Sequence, residues 1–180
     1  MSKDEARLVQ RAKEGDPTAF AEIYDRHQPA VYRYIFYRVG DVATAEDLTG
    51  EVFVRLVERI DRFRYRGRPL LAWLYTIARN LVTDYYRRAG RFVPLSLEEQ
   101  LTAGTVGPEE VVEHRLAQDR LVATMACLTE DQRQVILLKF VEGLDNETVA
   151  RTLGKSVGAI KALQHRALAA LRLTLEQNGS

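Results

Sequence analysis

Apolar residues recur at spacings of three and four along nearly the whole chain, and the strict alternation of a half-buried strand is almost absent. A chain patterned this way buries its apolar stripes by packing helix on helix, so the expected fold class is all-α. The punctuation predicts helices over residues 4–14, 17–38 with a break at Pro29, 43–60 and 70–88, which together form an N-terminal bundle. The pattern lapses at "RFVPLSLEEQLTAGTVGP", where Pro94, Gly104, Gly107 and Pro108 interrupt any long helix. Helices resume over 109–128, 130–142, 146–153 and 157–175. The expected organisation is two small helical domains, residues 1–90 and 113–180, joined by a flexible linker at 91–112. A length of 180 residues accommodates both, and no internal repeat was found.

The formal net charge is only +1, so any attraction to nucleic acid must come from local segregation of charge. That segregation is present. From Arg62 to Arg91 every charge except Asp84 is positive, from Lys155 to Arg172 there is no acid, and from Phe92 to Glu113 there are acids and no Lys or Arg. The single cysteine, Cys127, has no partner within the chain, which excludes an internal disulfide or a cysteine-based metal site; its apolar neighbours predict a buried, inert thiol. His27, His114 and His165 do not stand at ligand spacing, so no metal and no cofactor is expected. No basic segment leads into an apolar one at the N-terminus, and no run approaches the roughly 20 apolar residues of a membrane span. The expected location is cytoplasmic, without direct membrane insertion.

In "LTEDQRQVILLKFVEGLDNETVARTLGKSVGAIKALQHRALAALR" the stops and starts are explicit. Thr129 with Gln132 fits a capping box, Gly143 a helix stop, and Asp145 and Ser156 N-caps. "LGKS" then forms a short turn in which Gly154 can take a left-handed backbone angle, the connection that a helix-turn-helix requires. On the final helix Val157, Ile160, Ala167, Leu168 and Leu171 share one side, leaving Lys161, His165 and Arg166 on other faces. Such cations can meet phosphates and base edges in a major groove, or they can form an ordinary solvated face.

The stretch "FRYRGRPLLAWLYTIARN" alternates arginines with aromatic rings and then enters a helix whose inward stripe is Leu70, Leu74, Ile77, Ala78, Leu81 and Tyr85. Gly67 and Pro69 favour a loop over a strand at its start. Thr76, Arg79, Asn80, Thr83 and Arg87 lie on the remaining face. Rings beside cations suit unpaired bases, because stacking contributes roughly 1–3 kcal/mol per base; Trp73 is better placed as a packing residue. In "ATAEDLTGEVFVRLVERI", Asp47 and Glu51 form a like-charged pair four apart, relieved either by Arg55 or by a basic partner.

Taken in order, "AEDLTGEVFVRL", the basic loop, "AWLYTIARNLVTDYYRR", the linker and "LTEDQRQVILLKFVEGL" before a helix-turn-helix resemble the sigma-70 superfamily, in particular the compact extracytoplasmic-function (ECF, group 4) sigma factors. The resemblance spans nearly the whole chain. It implies a bacterial transcription initiation factor, not an enzyme, that binds core RNA polymerase and directs it to promoter DNA. Residues 1–90 would be sigma region 2 and 113–180 sigma region 4. The resemblance assigns polymerase docking to Asp47, Leu48, Glu51 and Phe53. It assigns recognition and melting of the −10 element to Tyr65, Arg66, Gly67, Arg68, Asn80, Asp84, Arg87 and Arg88. Reading of the −35 element falls to Ser156, Lys161, His165 and Arg166. Relatives are often held inactive by an anti-sigma factor. Two positions depart from the family pattern: Gly50 stands where Gln is common, and "AIKALQHRA" replaces "TVKSRLHRA", putting Leu163 at an Arg position and Gln164 at an apolar one. Two other readings compete. An autonomous helix-turn-helix regulator would leave the acidic helix and the arginine-aromatic loop unexplained, and a helical enzyme lacks any recognisable catalytic constellation.

Overall fold

A computed structural model describes residues 2–65, 69–90, 120 and 123–178, and among these the regular elements are all helical. Four helices come first: α1 (Lys3–Lys13), α2 (Pro17–Val39), α3 (Val42–Arg59) and α4 (Leu70–Ala89), with a single 3₁₀ turn, Ile60–Arg62, after α3. Three follow: α5 (Glu130–Ile136), α6 (Asn146–Leu153) and α7 (Val157–Asn178). The linker and most of the helix expected at 109–128 lie outside the described residues.

Local chemistry sets the boundaries. Asp16 caps α2, its carboxylate accepting from the Thr18 amide at 2.9 Å, with Pro17 at the first helical position where its missing N–H costs nothing. Gly40 ends α2 at φ 71°, a left-handed angle that returns the chain into α3. Asp41 then caps α3 through the Thr44 amide at 2.8 Å. The capping box at Thr129 and Gln132 forms in both directions, at 3.3 and 3.1 Å.

Four local expectations need correction. α2 runs through Pro29 without a break. Ile23, Val31, Tyr34 and Ile35 are fully buried on either side of it, and this packing outweighs the one backbone hydrogen bond that proline removes. Cys127 is exposed: it sits in the turn after residue 125, off the inward stripe, and its Sγ donates to the Thr124 carbonyl at 3.1 Å. Leu168 is also exposed, whereas Ile160 and Ala167 are fully buried, so the inward stripe of α7 is narrower than its sequence implied. Finally, the helix expected at 130–142 changes character at Leu137–Val141, a π-helical turn closed by the Glu142 amide on the Leu137 carbonyl at 3.0 Å. The extra residue in this turn turns Leu137 and Leu138 inward and Phe140 outward, and places Glu142 against α2 and α4.

The core is one contiguous cluster. Leu8, Ile23, Val31, Ile35, Val52, Leu56, Leu70 and Leu74 fill its N-terminal part, and Val135, Leu137, Leu138, Val149, Leu153 and Ile160 fill the rest. α2 packs on α3 and α4, α6 packs on α4, and α7 packs on α5 and α6. In α3, Gly50 is exposed, and a Cβ placed there meets nothing within 4 Å. Gly50→Ala therefore raises stability by about 0.5–1 kcal/mol through helix propensity. Urea denaturation checks it; a loss of stability would mean that the position is not an unobstructed helix interior.

Candidate functional site

Three surfaces carry the chemistry. The first is the outer side of α3. Asp47 is exposed, and Glu51 receives an ion pair from Arg55 at 2.8 Å, so the local relief of the acid pair is realised. Leu48 and Phe53 lie in the core instead, Phe53 edge-on to Tyr24 with centroids 4.8 Å apart. The exposed apolar residues on the outer side of α3 are Val54 and Val57, both more than half exposed. Asp47, Glu51, Val54 and Glu58 follow a spacing of four, three and four, which makes one acidic stripe with an apolar member. The signal missed in the sequence was a valine placed opposite the buried stripe.

The second surface joins residues 63–65 to α4. Phe63 is buried and packs on Trp73 with centroids 5.2 Å apart, while Lys13 donates to the Phe63 carbonyl at 2.8 Å and ties the loop base to α1. Arg64 Nη1 donates to the Asp61 and Phe63 carbonyls, which holds the loop's first cation along the backbone. Tyr65 is exposed; Arg66, Gly67 and Arg68 lie outside the described residues. On α4 the expected inward stripe is buried except for Tyr85, which is half-buried, and Tyr75 and Val82 join it. Asn80, Thr83, Arg87 and Arg88 face outward, with Asp84 3.5 Å from Arg87. Asn80, Asp84 and Arg87 thus occupy successive turns of one face, while the Thr83 hydroxyl is turned back to the Arg79 carbonyl at 2.9 Å.

The third surface is the turn between α6 and α7. Gly154 adopts φ 66° and its amide bonds the Ala150 carbonyl, which ends α6 and redirects the chain within three residues. Ser156 then caps α7, its hydroxyl accepting from the Ala159 amide at 3.1 Å. Lys161, His165 and Arg166 are all exposed, as expected. Beside Ser156, a shallow depression is lined by Glu147, Arg151, Gly154, Lys155 and Val157. Lys155 there pairs with Asp131 at 3.0 Å, and Arg151 pairs with Glu147 at 3.2 Å. These two cations flank the amide-rich start of a long helix, where an anion is favoured. They went unassigned in the sequence because their positions relative to the helix start depend on the turn geometry.

Behind these surfaces lies a buried polar layer. Tyr75 donates to Glu142 Oε2 at 3.0 Å, and burial followed by the Glu142 charge raises its phenol well above the usual tyrosine range. The Tyr86 hydroxyl donates to the Arg38 carbonyl, and burial pushes its pKa up to about 12. Burial lowers the pKa of Arg133, against the opposing pull of Glu130. Its side chain donates to the Met125 and Leu128 carbonyls, both at 3.3 Å. No His, Cys, Asp and Glu grouping suited to a metal ion occurs among the described residues, and no described helix is long and apolar enough to cross a membrane.

Comparison with known proteins matches the family "Sigma-70 region 2" over residues 23–92 and "Sigma-70, region 4" over residues 118–171. The ECF RNA polymerase sigma factor BldN of Streptomyces coelicolor is 44% identical over 91% of this chain, which spans 63% of that protein's length. SigD of Mycobacterium tuberculosis, an ECF RNA polymerase sigma factor, is 36% identical over 92% of this chain and 81% of its own. Among solved structures, CnrH in complex with the cytosolic domain of CnrY superposes with TM-score 0.77 at 26% identity, covering 96% of this chain and 97% of CnrH. RpoE of Bartonella quintana, in complex with the anti-sigma factor NepR, superposes with TM-score 0.69 at 25% identity over 87% of this chain and 96% of its own. With both regions matched in order on one helical fold and the likeness extending over nearly all of the chain, it belongs to the sigma-70 family as an ECF RNA polymerase sigma factor.

Proposed function

We propose that this chain binds core RNA polymerase through the acidic face of α3, opens the −10 element with residues 63–68 and α4, and reads the −35 element with α7. Residues 1–90 and 113–180 act as the two working domains, and 91–112 connects them. The observation that carries the −35 assignment is the exposed face of α7: Lys161 and His165 project one turn apart beyond a serine-capped helix start, with Arg166 beside them. Ser156, Arg151 and Lys155 hold the phosphates flanking that groove. Such contacts set register, while the α7 side chains reach base edges.

At the −10 element, Tyr65 offers a ring for a base that has left the stack, and Asn80, Arg87 and Arg88 follow the strand along α4. Asp84 holds Arg87 in place, an orienting role more than a DNA contact. Docking on polymerase rests on Asp47 and Glu51, with Val54 and Val57 as apolar anchors; Leu48 and Phe53 support that face from inside. The chain works as a factor without catalysis of its own, in the cytoplasm where polymerase and DNA are found. CnrY and NepR bind sigma factors of this fold, which supports an anti-sigma partner for this chain too.

Lys161→Ala weakens holoenzyme binding to a −35 duplex and makes its salt dependence shallower by about one unit of log–log slope, because one phosphate contact releases about one counterion. Fluorescence titration between low and moderate salt measures this. An unchanged slope would take Lys161 off the phosphate backbone.

A further inference from the structure

α1 precedes the residues matched to region 2 and carries none of the site residues assigned above, yet it reaches the loop that leads to Tyr65. Lys13, its last residue, directs its ammonium to the Phe63 carbonyl at 2.8 Å, across a separation of 50 positions in the chain. The contact exists because the fold sets α1 against the turn Ile60–Arg62. A lysine at a helix C-terminus is favoured by the helix dipole wherever it points, so its direction onto one loop carbonyl is what singles Lys13 out.

Phe63 is held from three sides. Its ring is buried against Trp73 of α4, with centroids 5.2 Å apart, and its amide donates to the Ile60 carbonyl at 3.0 Å. Its carbonyl accepts from Lys13 and, at 3.2 Å, from Arg64 Nη1. A peptide unit is planar, so fixing the Phe63 carbonyl also fixes the Arg64 amide and Cα. Only the two soft dihedrals of Arg64 then separate this plane from the peptide that carries Tyr65. Arg64 is itself tethered, since the same Nη1 donates to the Asp61 carbonyl. The backbone therefore enters Tyr65, an exposed ring, in a set direction.

Such a brace works only if α1 is fixed in turn. Leu8, Val9 and Ala12 are buried on its inner side. Arg26 of α2 pairs with Asp4 at 2.8 Å, and Arg11 pairs with Asp16 at 2.8 Å and Glu22 at 3.5 Å. Each surface pair is weak alone. Spread from the first turn of α1 to its last, they set its rotation against α2, and with it the place of Lys13. We propose that Lys13 is a positioning residue for promoter opening: through the Phe63 carbonyl it holds the backbone from which Tyr65 meets an unstacked −10 base. This rests on the assignment of residues 63–68 to the −10 element.

Lys13→Met keeps an unbranched stem and removes the donor, whereas Lys13→Arg keeps a cationic donor. Nuclear magnetic resonance on the full free chain is expected to show the Arg64 and Tyr65 amides displaced and more mobile in Lys13→Met, and restored in Lys13→Arg. With core polymerase, on a promoter fragment that the parent chain transcribes, permanganate oxidation of −10 thymines falls about 10-fold in Lys13→Met, within what stacking of one base contributes. Co-elution with core, binding of a −35 duplex and the melting temperature stay unchanged, and Lys13→Arg recovers most of the opening. Unmoved Arg64 and Tyr65 amides in Lys13→Met would overturn the proposal. So would unchanged opening where Tyr65→Ala impairs it, or a loss of opening matched by a fall in melting temperature. If Tyr65→Ala leaves opening intact, the −10 assignment of the loop fails instead, and the amides alone decide whether Lys13 positions Tyr65.

Discussion

Leu74→Ala lowers the free energy of unfolding by about 2–5 kcal/mol, the range for removing a buried leucine and leaving part of its volume empty. Leu74 is fully buried in the second turn of α4, in the hydrophobic core of a helix that packs on α2 and α3. The same substitution changes nothing on the outer face, since Asn80 and Arg87 project from other sides of α4. Urea denaturation followed by far-ultraviolet circular dichroism gives the value. For a fold whose whole stability lies near 5–15 kcal/mol, the loss is large enough to leave a measurable unfolded fraction on warming. A change below about 1 kcal/mol would mean that α4 does not run through the core.

The second large effect falls on polymerase binding. Asp47→Lys combined with Glu51→Lys weakens association with core by about 100-fold, because like charges brought together at an interface cost several kcal/mol. The fold tolerates both changes. Asp47 is exposed, and Glu51 gives up only its surface pair with Arg55, worth about 0.3–0.5 kcal/mol. Co-elution with core and a thermal melt of the variant separate the two effects. Unchanged affinity would move the docking surface away from α3, and a collapsed melting temperature would assign the acids a structural role.

How much of this was legible beforehand depended on how local the cause was. Caps formed by Asp145, Ser156 and the Thr129–Gln132 pair, and the left-handed turn at Gly154, depend on residues a few positions apart, and all took the places that their sequence assigned. The inward stripe of α4 followed from its period. Pro29 was misread because its effect is set by distant packing: a proline removes one hydrogen bond, and the buried residues around it decide whether the helix survives. The π turn at Leu137–Val141 has no pattern in a helical period, yet it directs Glu142 to Arg33 and Tyr75.

Site residues divide the same way. Charged positions such as Asp47, Lys161, His165 and Arg166 are exposed on faces that periodicity could assign. Leu48 and Phe53 came from a motif, which marks a stretch of helix without saying which side of it faces a partner; both are buried, and Val54 and Val57 are the exposed apolar members. Arg38 was invisible as a special residue. In sequence it is one more arginine at a helix end, and only the approach of α5, more than 90 positions later, makes it a buried ion-pair partner.

Run-off transcription with bacterial core polymerase on a library of promoter fragments, with and without this protein, tests the central claim most directly. Sequence-selective transcripts that appear only when the protein is present are the expected result, and their start sites define both promoter elements at once. Absence of transcripts and of co-elution with core, together with specific binding of duplex DNA by the protein alone, would contradict it.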